Sequence, residues 1–279
     1  METAEEHSRG RVVALIVASA LASTAVVAVP SDAWAVESTS ITASPEVVSA
    51  SLAGVEAENP ELVLEPAEAS EIGVVELSGG TVSLPSDLSF GVAINGVDES
   101  FAIRLPGADE AGTPEVLEDG TVVYPGEDFA NSIVVTDGAV QMLTTIANKE
   151  APTSFSYEVS LDPGQRLELV SGGAAIVNSD GTTASFVAPA WAQDANGSHV
   201  PTEYVVSGNT LTQVVAHDAL EGVAYPVVAD PIWFAPWVLR CLAGIGIAGP
   251  DLARILTLGT PTAIAAAFGR GAVACIFGR

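Results

Sequence analysis

The sequence predicts a mainly β protein: an antiparallel β-sandwich-like domain followed by a small helical C-terminal tail. Three observations carry that expectation. Short runs rich in Val, Ile, Thr, Phe and Tyr are cut by the turn pairs Gly79-Gly80, Asn95-Gly96, Asp119-Gly120, Asp137-Gly138, Gly172-Gly173, Asp180-Gly181, Asn196-Gly197 and Gly208-Asn209, the punctuation of hairpins. No helical stretch separates these runs, so the strands are expected to pair antiparallel in a sandwich or barrel. After Asp230-Pro231 the texture turns to Ala, Gly, Ile and Leu, with prolines placed where helices start.

Taken in chain order, residues 1–35 have the layout of a secretory signal peptide. Arg9 and Arg11 adjoin the apolar run Val12 to Val29, Pro30 ends it, and Ala33-Trp34-Ala35 supplies small residues for cleavage after Ala35. Glu2, Glu5 and Glu6 make the leading stretch unusually acidic, and an uncleaved anchor is the alternative. Residues 36–71 hold Glu37, Glu46, Glu56, Glu58, Glu61, Glu65 and Glu68 among Ala, Ser and Pro, which predicts a disordered acidic linker. Residues 72–230 form the β-domain. Its strands are expected over 121–124, 132–136, 139–146, 155–161, 166–170, 184–187, 203–206 and 211–215, many alternating with period two. Residues 231–279 form the tail. Pro236 can open a helix, Gly249-Pro250 ends it and opens another, and Gly259-Thr260-Pro261 combines a C-terminal glycine, an N-cap and a first-turn proline. Arg240, Arg254, Arg270 and the prolines interrupt every apolar run there, so no transmembrane span is expected in the tail.

Composition excludes some classes of function. Of 279 residues 48% are hydrophobic and only 16% charged, and the mean hydropathy is +0.41, so the chain can bury a core. Nine basic residues face 35 acidic ones, a net charge of -26 that repels a phosphate backbone and sets nucleic acid aside as a partner. The charge is unevenly placed. Residues 36–230 carry 30 acids against Arg104, Lys149 and Arg166, net -27, whereas the tail carries Asp251 against four arginines, net +3.

Cys241 and Cys275 both lie in the tail, and in an exported chain two thiols tend to be oxidised together. A disulfide joining the first and last tail helices is therefore expected, worth about 3 to 4 kcal/mol in the chain-entropy model.

The string Val122-Val123-Tyr124-Pro125-Gly126, with Ala151-Pro152-Thr153, Ala188-Pro189-Ala190-Trp191 and the closing run Tyr225-Pro226-Val227-Val228-Ala229-Asp230-Pro231, resembles a group of exported, β-rich actinobacterial proteins. In that group a Tyr-Pro-Val-x-x-Asp-Pro motif closes the β-domain and a variable, often hydrophobic tail follows, and similar domains occur upstream of effectors in polymorphic-toxin proteins. The resemblance covers residues 115–233 and implies architecture, not an activity. The residues themselves suit an extended edge segment at Tyr225-Pro226 and a chain reversal at Asp230-Pro231.

Catalytic chemistry finds few candidates. Beyond the signal segment only His199 and His217 remain, and His217-Asp218, adjacent on a strand, would face opposite ways. No Gly-x-Ser-x-Gly is present and no histidine adjoins either cysteine. Asp194-Ala195-Asn196-Gly197-Ser198 offers alternating oxygens, but its glycine comes too early and no glutamate ends a calcium loop, so a hairpin turn is the better reading. The pairs Asp98-Glu99, Asp109-Glu110 and Glu127-Asp128 are expected as solvated loop charge. No catalytic residue, cofactor or metal site is expected.

Trp233, Phe234 and Trp237 cluster where the domains meet, either to pack on the sandwich or to contact a membrane together with Arg240, Arg254 and Arg270. The resulting expectation is a secreted, non-enzymatic structural or binding module facing an envelope component or an anionic membrane. The alternative is a carrier whose acidic domain masks a cationic, bacteriocin-like tail peptide.

Overall fold

Where a disordered linker was expected, a helix stands. The computed structural model describes residues 42–67, 72–97, 99–247, 250–258 and 261–277, and α1 (Pro45–Glu58) lies within the stretch read as linker. Ser44 caps it, its hydroxyl accepting from the Val47 amide at 3.5 Å, and Pro45 occupies the first turn. Val48, Leu52 and Val55, spaced as one helical face, are buried, while its glutamates point outward. The glutamate-rich composition hid this stripe. The expected signal segment 1–35 lies outside the described residues, as do Asp98, Gly249, Gly259 and Thr260.

The β-domain is two stacked antiparallel sheets, both open. In chain order the strands are β1 (Gly73–Leu77), β2 (Gly80–Leu84), β3 (Val92–Gly96), β4 (Ser100–Arg104), β5 (Glu115–Val116), β6 (Val122–Tyr124), β7 (Phe129–Val135), β8 (Ala139–Ile146), β9 (Ser154–Ser160), β10 (Arg166–Val170), β11 (Gly173–Val177), β12 (Thr183–Val187), β13 (Ala192–Gln193), β14 (Thr202–Ser207), β15 (Thr210–Val215), β16 (Val227–Ala229) and β17 (Ile232–Phe234). Seven form one sheet in the order β1-β2-β3-β4-β9-β15-β14. The other sheet runs β10-β11-β12-β17-β8-β7-β6-β5, with β16 beside β8 and β13 beside β16.

The sheets differ in what covers them, and the sequence pattern follows. In β9, Phe155, Tyr157 and Val159 are buried while Ser154, Ser156, Glu158 and Ser160 are exposed, so that sheet has one wet face. All eight residues of β8 are buried, because its sheet is covered on both sides. Met142 and Ile146 face the opposing sheet; Leu143, with Val123, Ala130, Val134 and Val228, packs under α1. The chain after α1 is fastened to the same face by Gln141, whose Oε1 accepts from the Leu64 amide (2.8 Å) and whose Nε2 donates to the Leu62 carbonyl (2.7 Å). Leu52→Ala is expected to cost at least about 2 kcal/mol, read as a lower urea midpoint with an unchanged slope. An unchanged midpoint would mean that α1 adds nothing to the core.

The tail folds as α2 (Pro236–Gly244), α3 (Pro250–Leu258), α4 (Pro261–Phe268) and α5 (Arg270–Phe277). The expected last helix is thus divided in two, because Gly269 takes a φ of 83°, closed to most L-residues, and turns the chain. The tail is not a separate layer: Trp237, Val238, Leu242, Ile264 and Ile276 belong to the same buried cluster as the sandwich interior. The described residues contain no helix long and apolar enough to cross a membrane.

Candidate functional site

The closing run Tyr225 to Pro231 does not reverse the chain. β16 and β17 pair with β8 in a single register, Ala229 opposite Thr144 and Ile232 opposite Gln141, so Asp230-Pro231 continues one straight strand through the middle of the sheet. A central proline removes a ladder donor, and here the loss falls on the β8 side, where Pro231 keeps only its carbonyl bond, accepting from the Met142 amide at 2.8 Å. On the far side Ala188 to Trp191 bulge past Asp230 to Ile232, one residue more on the first side, and the Asp230 carboxylate accepts the Trp191 amide proton at 2.9 Å. The expected reversal comes later, at Ala235-Pro236, where β17 gives way to α2.

Asp230 is fully buried between the sheets. Its Oδ1 also receives Gln213 Nε2 at 3.3 Å from β15, and its main-chain carbonyl is approached by the Tyr157 hydroxyl from β9, which shares a 3.0 Å bond with Thr144 on β8. Burial pushes its carboxyl up to about 8, against the lowering pull of these donors. Asp230 Oδ2 and the adjoining Tyr204 hydroxyl each lack a partner of ordinary geometry. A neutral Asp230 resolves both, since its Oδ2–H can donate to Tyr204 Oη. Burial raises the Tyr157 and Tyr204 hydroxyls as well. The knot ties β8, β9, β14 and β15 to the closing strand across the sandwich.

The junction tryptophans are core residues, not a membrane face. Trp233 is fully buried against Phe101, ring centroids 6.1 Å apart, because β17 is an inner strand. Trp237 Nε1 donates to the Asp137 carbonyl at 2.6 Å, and the indole lies so close under Gly79 that a Cβ there would stand 2.2 Å from it. Gly80 meets the same ring, and a Cβ on Gly138 would meet the Ile276 carbonyl oxygen at 2.1 Å. None of these glycines has positive φ. Read from sequence as turn formers, they are needed because the helical cap docks on the turns at this pole. Arg240, Arg254 and Arg270 are exposed, with the Arg254 guanidinium 5.7 Å from the Phe268 ring centroid. The structure therefore exposes the arginines and buries the tryptophans expected beside them. Cys241 and Cys275 are bonded, Cα atoms 5.6 Å apart, joining α2 to α5, and such a bond is compatible with an oxidising compartment.

His217 is buried, its Nε2 3.0 Å from the Pro152 carbonyl and its Nδ1 2.8 Å from Tyr225 Oη. The Tyr225 hydroxyl also donates to the His217 carbonyl at 3.1 Å, which makes His217 a latch between loops. Asp218 is exposed and not bonded to it in the described structure, and His199 is exposed. Asp194 closes its own turn: Oδ1 accepts from the amides of Asn196 and Ser198 and Oδ2 from that of Ala224. Its oxygens serve backbone donors, as a hairpin turn requires.

The opposite pole carries a pocket that the sequence did not disclose. At the far end of β7 from the cap, Gly107, Glu110, Ala111, Tyr124 to Phe129, Asn131 and Pro152 enclose about 300 Å³. Glu110 and the pair Glu127-Asp128, expected as scattered loop charge, stand together on it.

These features define an open antiparallel β-sandwich closed at one pole by a disulfide-clamped helical cap. Comparison with protein-family models, with curated proteins and with solved structures finds no match to this chain.

Proposed function

We propose that this protein is a secreted, non-enzymatic module of the cell envelope or medium, which binds a partner and keeps its helical cap permanently. The burial of the cap's apolar face in the sandwich core carries this reading. Trp237, Val238, Leu242 and Ile276 lie inside the common cluster, and the Cys241–Cys275 bond closes over them. The disulfide agrees with export, and the acid excess keeps such a domain soluble and steers cationic partners toward it. The carrier reading has the charge asymmetry in its favour, net -27 against +3. It requires the cap to be released, which would expose those buried side chains and leave the core open at that pole.

Intact mass measured on protein from the culture medium distinguishes the two. The expected species begins after Ala35, retains the last residues, weighs two hydrogen atoms less than the reduced chain, and does not bind anionic vesicles. A released fragment beginning near residue 231, with membrane activity, would establish the carrier reading instead. Hydrolysis of peptide, ester or glycan substrates by the purified protein would remove the non-enzymatic part.

A further inference from the structure

We infer that the acidic pocket at the pole opposite the cap binds the guanidinium of an arginine side chain on a partner polypeptide. The inference rests on the binding-module reading and names the chemistry of its partner. The pocket's volume, about 300 Å³, is at the small end of ligand sites and suits one long side chain.

Its aromatic wall is pre-set. Phe129 is locked edge-on to Phe155, centroids 5.2 Å apart, and Gly107 lies so close that a Cβ there would be 2.7 Å from the Phe129 ring. Gly126 leaves no more room, since a Cβ on it would meet the Phe129 carbonyl oxygen at 2.2 Å. Tyr124 is held as firmly, its hydroxyl donating to the Pro85 carbonyl at 2.6 Å. Such a wall accepts an aliphatic stem or a flat cation.

The polar side is acceptor-rich. Glu110 and Glu127 are exposed on it and Asp128 is half-buried, and the lining contains no Lys, Arg or His. Asn131 supplies the second, independent sign of a ligand. Only 2% exposed, it uses Nδ2 on the Pro106 carbonyl at 2.8 Å, which fixes the amide and leaves Oδ1 buried with no hydrogen-bond partner among the described residues. An orphaned acceptor beside three carboxylates calls for a donor that is also a cation. No three His, Cys, Asp or Glu among the described residues are placed to hold a metal ion, so an inorganic ion lacks its ligand shell here. A guanidinium, planar and with five donors, can reach dispersed acceptors while stacking on Phe129, which a compact ammonium does less well.

The test is an NMR or calorimetric titration of the full mature protein with Nα-acetyl-arginine methylamide, using the uncharged citrulline analogue as control. Saturable binding of the arginine probe is expected, with the control at least about tenfold weaker, the factor that one charge-assisted hydrogen bond supplies. Glu110 and Glu127 are exposed, so the double variant Glu110→Gln, Glu127→Gln should fold with an unchanged Tm and bind the probe at least about tenfold more weakly. Asn131→Leu, checked for folding in the same way, should lose binding too. Absence of saturable binding, equal binding of the two analogues, or an affinity untouched by the double variant would overturn the inference. The mass and vesicle measurements read the cap alone, so either reading can fail without the other.

Discussion

As pH rises from about 4 to about 8, the protein is expected to lose stability at about 1.4 kcal/mol per pH unit through Asp230 alone, on the order of 5 kcal/mol across the window. Burial between two sheets pushes this carboxyl up to about 8 from an ordinary value of 3.8. Within that window the unfolded chain has released this proton and the folded chain still holds it. Its stabilisation is therefore complete below the ordinary value and is lost as pH climbs through the folded one. The exposed carboxylates with lowered values act on the other side. Glu46, Asp87 and Asp180 accept from the hydroxyls of Ser44, Ser89 and Thr182 respectively, so their contributions fade only as the solution becomes more acidic than about pH 4. Asp230→Asn keeps an acceptor for the Trp191 amide and Gln213, presents a neutral donor to Tyr204, and should flatten the profile. Urea midpoints measured across this range for both proteins check the sign and the size, and parallel profiles would sink the assignment of a neutral Asp230.

Replacing Cys241 and Cys275 with serine is expected to cost about 4 kcal/mol, from the entropy of a 34-residue closure in the unfolded chain. The loss should be uneven within the fold. α2 remains anchored through Trp237, its indole bonded to the Asp137 carbonyl and pressed under Gly79, whereas α5 loses its covalent tie to α2. Hydrogen exchange should accordingly accelerate first in α3 to α5 and last in β8, which is buried on both faces. If β8 and α5 accelerate together, the cap and the sandwich unfold as one unit and the bond stabilises both alike.

The fold was legible where local chemistry and tertiary demand coincide. Turn pairs such as Asp137-Gly138 and Gly208-Asn209 lie between strands that pair as hairpins, and the strands expected over 139–146 and 166–170 have those bounds in the structure. The tail was legible as helical for the same reason, since a proline near a helix start works without help from neighbours. α1 was not, although Ser44-Pro45 and the spacing of Val48, Leu52 and Val55 were present as signals. A stripe of three aliphatic residues stabilises a helix only when a sheet lies under it, and here Leu143 and Val134 provide that sheet. β11 was missed because Gly172-Gly173 reads as a turn on both counts, while Gly173 in fact begins a strand.

By itself the sequence determined the class of the fold, the place where strands yield to helices, and the expectation that the two cysteines pair. All three follow from period, punctuation and composition, which act within a few residues. Tertiary structure alone decided that Asp230-Pro231 runs straight, because pairing with β8 holds one register on both sides of the proline while the bulge at Ala188 to Trp191 makes room for the Asp230 side chain. It also decided that Trp233 and Trp237 are core, and that Gly79, Gly80 and Gly138 are required by contact and not by φ. It gathered Glu110, Glu127, Asp128 and Asn131 around one pocket. Such arrangements join residues far apart in the chain, and their energies come from burial and close approach, which no local pattern encodes.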